Sequence, residues 1–299
     1  MRNVFSIAIS VVLLLLTGCG GGGSSDSRVD GDRSGAGDLP TDSVNDINDE
    51  GTPNGSAGSY YRIQTNSLRQ YQIGDYAEYA LTGSGTIRGA FGSDRFTFSG
   101  ILSESIGPSA VQLPGLGSPR LLASTFMFSG VRVWASGQSE VQEGFGQEYF
   151  YQNGTGSIFL VLDDDGNQYN YPQGALEVQS PIGVGASWLN DYRIVNPSIS
   201  NSAYIQVREA CAVTRRENVI TPIGTFETYR VDCDWVEIPS DPWLYGCPTQ
   251  GTETAWIYPA IGTIAGQHTQ SDLPGSGCPE TETFNTEGKT MIKATNVAP

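Results

Sequence analysis

Past residue 60 the chain alternates. Ile205, Val207, Cys211 and Val213 share one parity across residues 205–215, and Tyr229, Val231, Cys233 and Trp235 share one across 226–237. Apolar residues at every second position line one face of an extended strand, so each stretch predicts a half-buried β-strand. Runs rich in β-branched and aromatic residues at 76–81, 95–102, 121–134, 147–151, 157–162 and 253–258 predict further strands, divided by Gly, Pro, Asn and Asp. No window of a dozen residues holds a helical period. The 38 glycines suit many tight turns. The predicted fold is all-β and mostly antiparallel, a sandwich or curved half-barrel built from two related β units.

The beginning of the chain follows a different pattern. Arg2 precedes an apolar run that is densest at residues 11–16 and ends in Leu16-Thr17-Gly18-Cys19. A charged start, a short apolar core and small residues at a cleavage point are the anatomy of a secretory signal peptide. The apolar core, about 13 residues, is short of the roughly 20 that span a bilayer. The closing tetrad resembles the bacterial lipobox, with Leu three places before the cysteine and small residues between. That resemblance implies removal of residues 1–18, a diacylglycerol on the Cys19 thiol and acylation of its new amino group. One acyl chain holds a protein only marginally, at about 0.8 kcal/mol per buried methylene, whereas two or three hold it firmly. Gly20 stands where Asp favours inner-membrane retention in lipoproteins of enteric-type bacteria. The resemblance therefore implies a membrane partner reached through lipid on Cys19, in the cell envelope, with the outer membrane favoured in a Gram-negative host.

Residues 19–59 change character again. They are Gly, Ser, Asp and Asn with almost nothing apolar, and Asp26 to Glu50 holds eight acidic residues against Arg28 and Arg33. Such a segment buries too little surface to offset its ordering entropy and predicts a disordered tether. A flexible coil of about 40 residues has an end-to-end distance near 35 Å, and like-charge repulsion lengthens it. The remaining 240 or so residues suit one large or two small domains. A first β unit is placed at 60–177 and a second at 178–299. The formal charge of −16 and pI near 4.3 argue against a basic nucleic-acid surface.

Cysteine usage sharpens the second unit. Beyond Cys19 stand Cys211, Cys233, Cys247 and Cys278, an even number that in an exported chain predicts two disulfides. Their spacing and the single histidine do not make a zinc site. Thr221-Pro222-Ile223-Gly224-Thr225 reads as a turn between the two alternating stretches. A hairpin centred on Pro222 places 211 opposite 233, with both sulfurs on the apolar face. Directly opposed strand residues are close enough to be bridged. Cys211–Cys233 is therefore the predicted pair, leaving Cys247–Cys278.

Two further patterns concern organisation. Gly74 to Gly156 and Gly183 to Gly262 enclose similar aromatic and glycine landmarks at separations of 82 and 79 residues, which suggests an internal repeat. In addition, Gly185-Ala186-Ser187-Trp188, Val219-Ile220-Thr221-Pro222-Ile223-Gly224-Thr225-Phe226 and Trp256-Ile257-Tyr258-Pro259-Ala260-Ile261-Gly262 resemble boxes found in uncharacterised bacterial envelope β-domains. That resemblance covers roughly residues 181–269 and implies a β-rich envelope domain with no established activity.

Chemistry is harder to find. His268 is the single histidine, and no nucleophile-elbow pattern accompanies it. Its default reading is a surface or hydrogen-bonded histidine. Carboxylates are plentiful, but no local motif selects a glycosidase pair. Asp163, Asp165 and Asn167 copy the opening of a calcium loop, yet Gln168 and Gly174 stand where the loop Gly and closing Glu belong. A hairpin turn accounts for the same residues, with calcium as the weaker alternative. Most tryptophans are expected in the core, with Trp243 exposed. The expected protein is a membrane-anchored envelope lipoprotein with no catalytic residues and no cofactor. Its β domain binds an unidentified protein, glycan or lipid or plays a structural part. An envelope-polymer hydrolase and a lipid carrier are the alternatives.

Overall fold

Burial alternates along the strands as the pattern predicts: β4 (Leu122–Trp134) buries Leu122, Ser124, Phe126, Phe128 and Arg132 and exposes Met127, Ser129, Val131 and Val133. The computed structural model describes residues 58–89, 92–111, 120–170, 172–200, 202–273 and 282–299. The other strands among them are β1 (Tyr60–Tyr61), β2 (Tyr76–Gly89), β3 (Gly92–Pro108), β5 (Ser139–Gln152), β6 (Ile158–Asp163), β7 (Gln168–Tyr169) and β8 (Ala175–Val178). After these come β9 (Ser187–Val195), β10 (Ile205–Thr221), β11 (Gly224–Pro239), β12 (Thr249–Tyr258), β13 (Gly262–Asp272) and β14 (Glu282–Thr295). A single helical turn, α1 (Pro242–Tyr245), is capped by Asp241, whose carboxylate accepts from the Trp243 N–H at 2.9 Å.

All fourteen strands belong to one sheet, ordered β1-β11-β10-β9-β7-β6-β5-β4-β3-β2-β14-β13-β12 with β8 on β6. Because β11 also pairs with β12, the sheet closes on itself. With β1 and β8 off the ring, twelve strands form the wall. Every ladder is antiparallel except β1 on β11. The all-β, antiparallel reading holds, and the curvature goes to completion in a closed barrel, which leaves no long open edge between first and last strands. Residues 60–177 and 178–299 both contribute strands to this one wall. Its thinnest point is β7, two residues long, which joins β6 to β9 through Leu162–Gln168, Gln168–Val195 and Tyr169–Ile194.

The β10–β11 hairpin shows how the cysteine pairing arises. Its turn is Pro222-Ile223, so the hairpin centres half a residue beyond Pro222. A bulge at Thr214 inserts one residue into β10, between Val213 and Arg215. The two offsets cancel, and beyond the bulge Cys211 lies opposite Cys233, with the sulfurs bonded and the Cα atoms 4.1 Å apart. Gly224 at the turn has φ +143°, and an added Cβ would lie 2.7 Å from the Tyr61 ring where β1 crosses it.

Residues 62–75 cross one end of the barrel. The Leu68 N–H donates to Ser180 Oγ at 3.1 Å, Arg69 N–H to the Pro259 carbonyl at 2.9 Å and Tyr71 N–H to Gln152 Oε1 at 2.6 Å. Farther along, Gly74 N–H donates to the Ile106 carbonyl at 2.8 Å. The crossing therefore ties together the β5–β6, β8–β9 and β12–β13 connections.

Three full-length strands escape the sequence pattern: β9, β13 and β14. The inward positions of β13 include His268 and Gln270, and those of β14 include Thr286, Gly288 and Thr290. An inner face that is polar or glycine erases the apolar alternation on which strand prediction depends.

Candidate functional site

Cross-strand register carries two rows of side chains around the barrel interior. One row runs Trp188, Cys211, Cys233, Glu253, His268, Gly288, Gly83, Phe98 and Arg132. Its neighbour runs Asn190, Glu209, Trp235, Gly251, Gln270, Thr286, Gly85 and Phe96. The mixture is unusual for a core. Aromatic rings lie over the glycines opposite them, Phe98 on Gly83, Phe96 on Gly85 and Trp235 on Gly251, and an added Cβ would come within 2.2, 2.3 and 2.5 Å of those rings. Rings held against the wall in this way cover the glycine backbone and keep the lining thin.

Acidic residues fill the spaces between. Glu104, Glu148, Glu177, Glu209 and Glu253 are all buried or turned inward. Each follows the parity of an apolar face, except Glu177. There a β-bulge between Ile158 and Phe159 pairs Ile158 with Val178 and Phe159 with Leu176, so Glu177 has no opposite residue on β6. A bulge re-aims a side chain, and here it buries Glu177 and Val178 in succession. Glu177 is 1% exposed, and neither carboxylate oxygen has a hydrogen-bond partner.

The electrostatics tie these groups into one site. Burial pushes the Glu177 carboxyl well above the usual carboxylate range, and the charges of Glu253, Glu104 and Glu209 push it further. Those three stand on β12, β3 and β10, in separate parts of the wall. Only a side chain aimed into the interior feels all of them. Burial also raises Glu104, against the opposing effect of the Ser124 hydroxyl that donates to it at 2.6 Å. Glu209 is raised by burial too, while the Asn190 amide donates to it at 2.8 Å. Tyr71, on the segment crossing the barrel end, has its phenol pushed up by burial and then by Glu104 and Glu177. His268 is fully buried and stacks on Trp235, ring centroids 5.7 Å apart, directly across from Glu253. Its place is the barrel interior, not the surface. The indole N–H groups of Trp188 and Trp235 and the hydroxyls of Thr286 and Thr290 are buried without hydrogen-bond partners. Among the described residues, the buried guanidinium of Arg132 is paired with Glu140 at 3.1 Å.

Of the residues singled out in the sequence, Cys211, Cys233 and His268 lie in the first of these rows. Cys19 and Cys278 lie outside the described residues. Cys211 and Cys233 are bonded to each other, and Cys247 is disulfide-bonded. Asp163, Asp165 and Asn167 form the β6–β7 turn. Asp163 accepts from the Asn167 backbone at 2.9 Å, the Asn167 amide at 2.8 Å and the Tyr169 hydroxyl at 2.8 Å. The Asn196 amide donates to the Asp165 carbonyl at 2.8 Å. These bonds use the oxygens to hold the turn against the 196–200 loop. Oxygens of Asp163, Asp164 and Asp165 approach one another closely, as do Glu209 and the Cys211 and Cys233 sulfurs, but the sulfurs are consumed in their disulfide. Trp243 is exposed, as expected.

The interior carboxylates were not selected from the sequence, though a signal was present. Glu209 shares its parity with Val207, Cys211 and Val213, and Glu104 with Leu102 and Ile106. A carboxylate on an apolar face is the mark of an inward-facing polar group. Glu177 left no such mark, because its bulge is invisible without the partner strand.

On the outside, β4 and β5 carry an apolar strip in which Met127 faces Phe145 and Val131 faces Val141, all exposed. β6 pairs with β5 only from Glu148 to Gln152.

No protein-family model matches the chain and no curated protein matches it. Among solved structures, a Bacteroides fragilis protein described as exported, with a YmcC-like fold, aligns at 14% identity, covering 77% of this chain and 99% of its own, with a TM-score of 0.36. A Parabacteroides distasonis protein described as a lipoprotein aligns at 12% identity with the same coverages and a TM-score of 0.34. At such scores the barrel is defined by its own ladders.

Proposed function

We propose that the chain is a lipid-anchored protein of the bacterial envelope whose β-barrel binds a ligand in its interior without transforming it. The convergence of Glu104, Glu177, Glu209 and Glu253 inside a closed wall carries this reading. A purely structural barrel gains nothing from buried carboxylates, since apolar residues of similar size stabilise an interior at least as well. Retained polar groups of this kind are a common sign of a binding site. A glycosidase also uses paired carboxylates, but it must admit a polymer and a water between them. Here residues 62–75 cross one barrel end, which favours a ligand that enters whole over a chain that threads through. The likeness of Leu16-Thr17-Gly18-Cys19 to a lipobox supports the anchor on Cys19.

The test has two parts. Cells expressing the native chain or Cys19→Ala are labelled with radioactive palmitate and fractionated. The native chain is expected to carry label and sediment with membranes, and the variant to lose both. Native mass spectrometry of the protein released gently from membranes is expected to show a small-molecule adduct. An unlabelled, soluble native chain would refute the anchor, and an interior that takes up no compound of any class would refute the binding reading.

A further inference from the structure

The interior site also specifies the chemistry of what it binds, and this step rests on the binding reading above. Glu177 is 1% exposed, stands at a bulge, and has two carboxylate oxygens without hydrogen-bond partners among the described residues. Glu104, Glu209 and Glu253, on three other strands of the wall, add their negative charge to its surroundings. An ionised carboxylate buried without a cation is costly, and the buried Arg132 is engaged by Glu140. Among the described residues, Arg132 is thus already paired while both Glu177 oxygens lack a donor.

Spacing decides between a metal ion and an organic cation. Divalent ions draw oxygen ligands to within about 2.0–2.6 Å of one centre. Among the described residues, the groups of three or more candidate ligands whose atoms come within 4.8 Å of one another are Asp163 with Asp164 and Asp165, and Glu209 with the disulfide sulfurs. The four interior glutamates form no such knot. No three of them come close enough to close around one ion, although their charges act on one another. A primary ammonium group offers three N–H donors and a full charge, and a carbon skeleton bridges separated carboxylates. The stacked Trp235 and His268 rings beside Glu253 and Glu209 provide a π face of the kind that attracts organic cations. The free indole N–H groups of Trp188 and Trp235 and the hydroxyls of Thr286 and Thr290 add donors and a few acceptors for oxygen functions on the same molecule.

We propose that the barrel interior is a receptor for an organic ammonium compound, of the amino-sugar or polyamine kind, with Glu177 as its central anchor and Glu104, Glu209 and Glu253 as flanking carboxylates.

Isothermal titration of the full chain in mild detergent tests this, with glucosamine, spermidine, N-acetylglucosamine, calcium chloride and a fatty acid as probes. Glucosamine or spermidine is expected to bind, and which of the two binds more tightly separates the amino-sugar from the polyamine source. N-acetylglucosamine, which lacks the ammonium charge, is expected to bind at least about tenfold more weakly than glucosamine if the amino sugar is preferred. Glu177→Gln, an isosteric change, is expected to weaken the amine by at least about tenfold, the loss of one hydrogen bond to a charged group. Glu209→Gln is expected to act in the same direction and keeps the test alive should the first variant fold poorly, while exposed Glu287→Gln is expected to change nothing. Binding of N-acetylglucosamine or the fatty acid in place of both amines would overturn the ammonium assignment and leave the binding reading intact. Calcium binding lost in Glu177→Gln would overturn it in favour of a metal. Failure of every probe would overturn the ammonium assignment, and failure of any adduct in native mass spectrometry as well would remove the binding reading with it.

Discussion

Replacing Glu177 by Gln should make the unliganded barrel more stable at neutral pH and leave it unchanged in acid. The sign follows from linkage. A carboxyl raised by burial binds its proton more tightly folded than unfolded, where its pKa is near 4.3. Between those two values the folded chain holds more protons, so stability falls as pH rises, by up to about 1.4 kcal/mol per pH unit for each such group. Below about pH 4 the group is protonated in both states and contributes no slope. Glu177 is 1% exposed and its carboxyl is raised further by the charges of Glu253, Glu104 and Glu209, so its slope persists over a wide pH window. Gln keeps the shape and removes the titration. The variant's advantage should grow with pH by up to about 1.4 kcal/mol per unit for as long as the folded carboxyl stays protonated. In a domain of this size each such kcal/mol raises Tm by about 2–4 °C. The assay is thermal or urea unfolding of both proteins in amine-free buffer from pH 4 to 8. Parallel stability curves for the two proteins, at any offset, would refute the reasoning, because a group that titrates alike in folded and unfolded chains is not buried among like charges.

Other expectations follow from the same geometry. Closing a loop of 22 residues, Cys211–Cys233 contributes about 3 kcal/mol in the chain-entropy model, so Cys211→Ala/Cys233→Ala should lose about that much by urea unfolding under non-reducing conditions. Gly100→Ala should cost about 1–3 kcal/mol, since a Cβ there would lie 2.5 Å from the Ser129 carbonyl oxygen and 2.8 Å from the Gly130 Cα. Trp243→Ser, at an exposed position, should move stability by less than about 0.5 kcal/mol. Asp232 is pushed up by burial but held below the usual carboxylate range by bonds from Thr214, Thr254 and Arg230. Its contribution is present above about pH 4 and lost as pH falls through the lowered value, so Asp232→Asn should be destabilising at pH 7 and less so near pH 2 in urea melts.

The fold was legible wherever apolar and polar residues alternate. Strands β4 and β11 are legible nearly whole and β10 over residues 205–215, and the Cys211–Cys233 pair follows from their parity. The pairing came out right for a partly different reason: the turn centres beyond Pro222, and the Thr214 bulge restores the offset. Sequence parity cannot see a bulge, because a bulge is a relation between two strands. Closure was equally hidden, since it depends on β11 meeting β12 across the α1 connection. The site was the least legible part, and the cause is physical. Inward-facing Gln270, Thr286 and Thr290 and the glycines beneath Phe96, Phe98 and Trp235 break the alternation of the strands that carry them. Inward polarity hid the strands from the pattern and also makes the interior a candidate site.

The most direct test of that interior is the indole region of a 1H–15N correlation spectrum. The five tryptophans give five indole resonances, and they occupy different places: Trp188 and Trp235 face the lumen with free N–H groups, Trp256 donates to Glu217, Trp134 donates to Glu140 and Trp243 is exposed. On titration with glucosamine or spermidine, the Trp188 and Trp235 signals are predicted to shift and saturate together while Trp243 stays in place. Shifts confined to Trp243, or five unmoved resonances, would contradict a binding site inside the barrel.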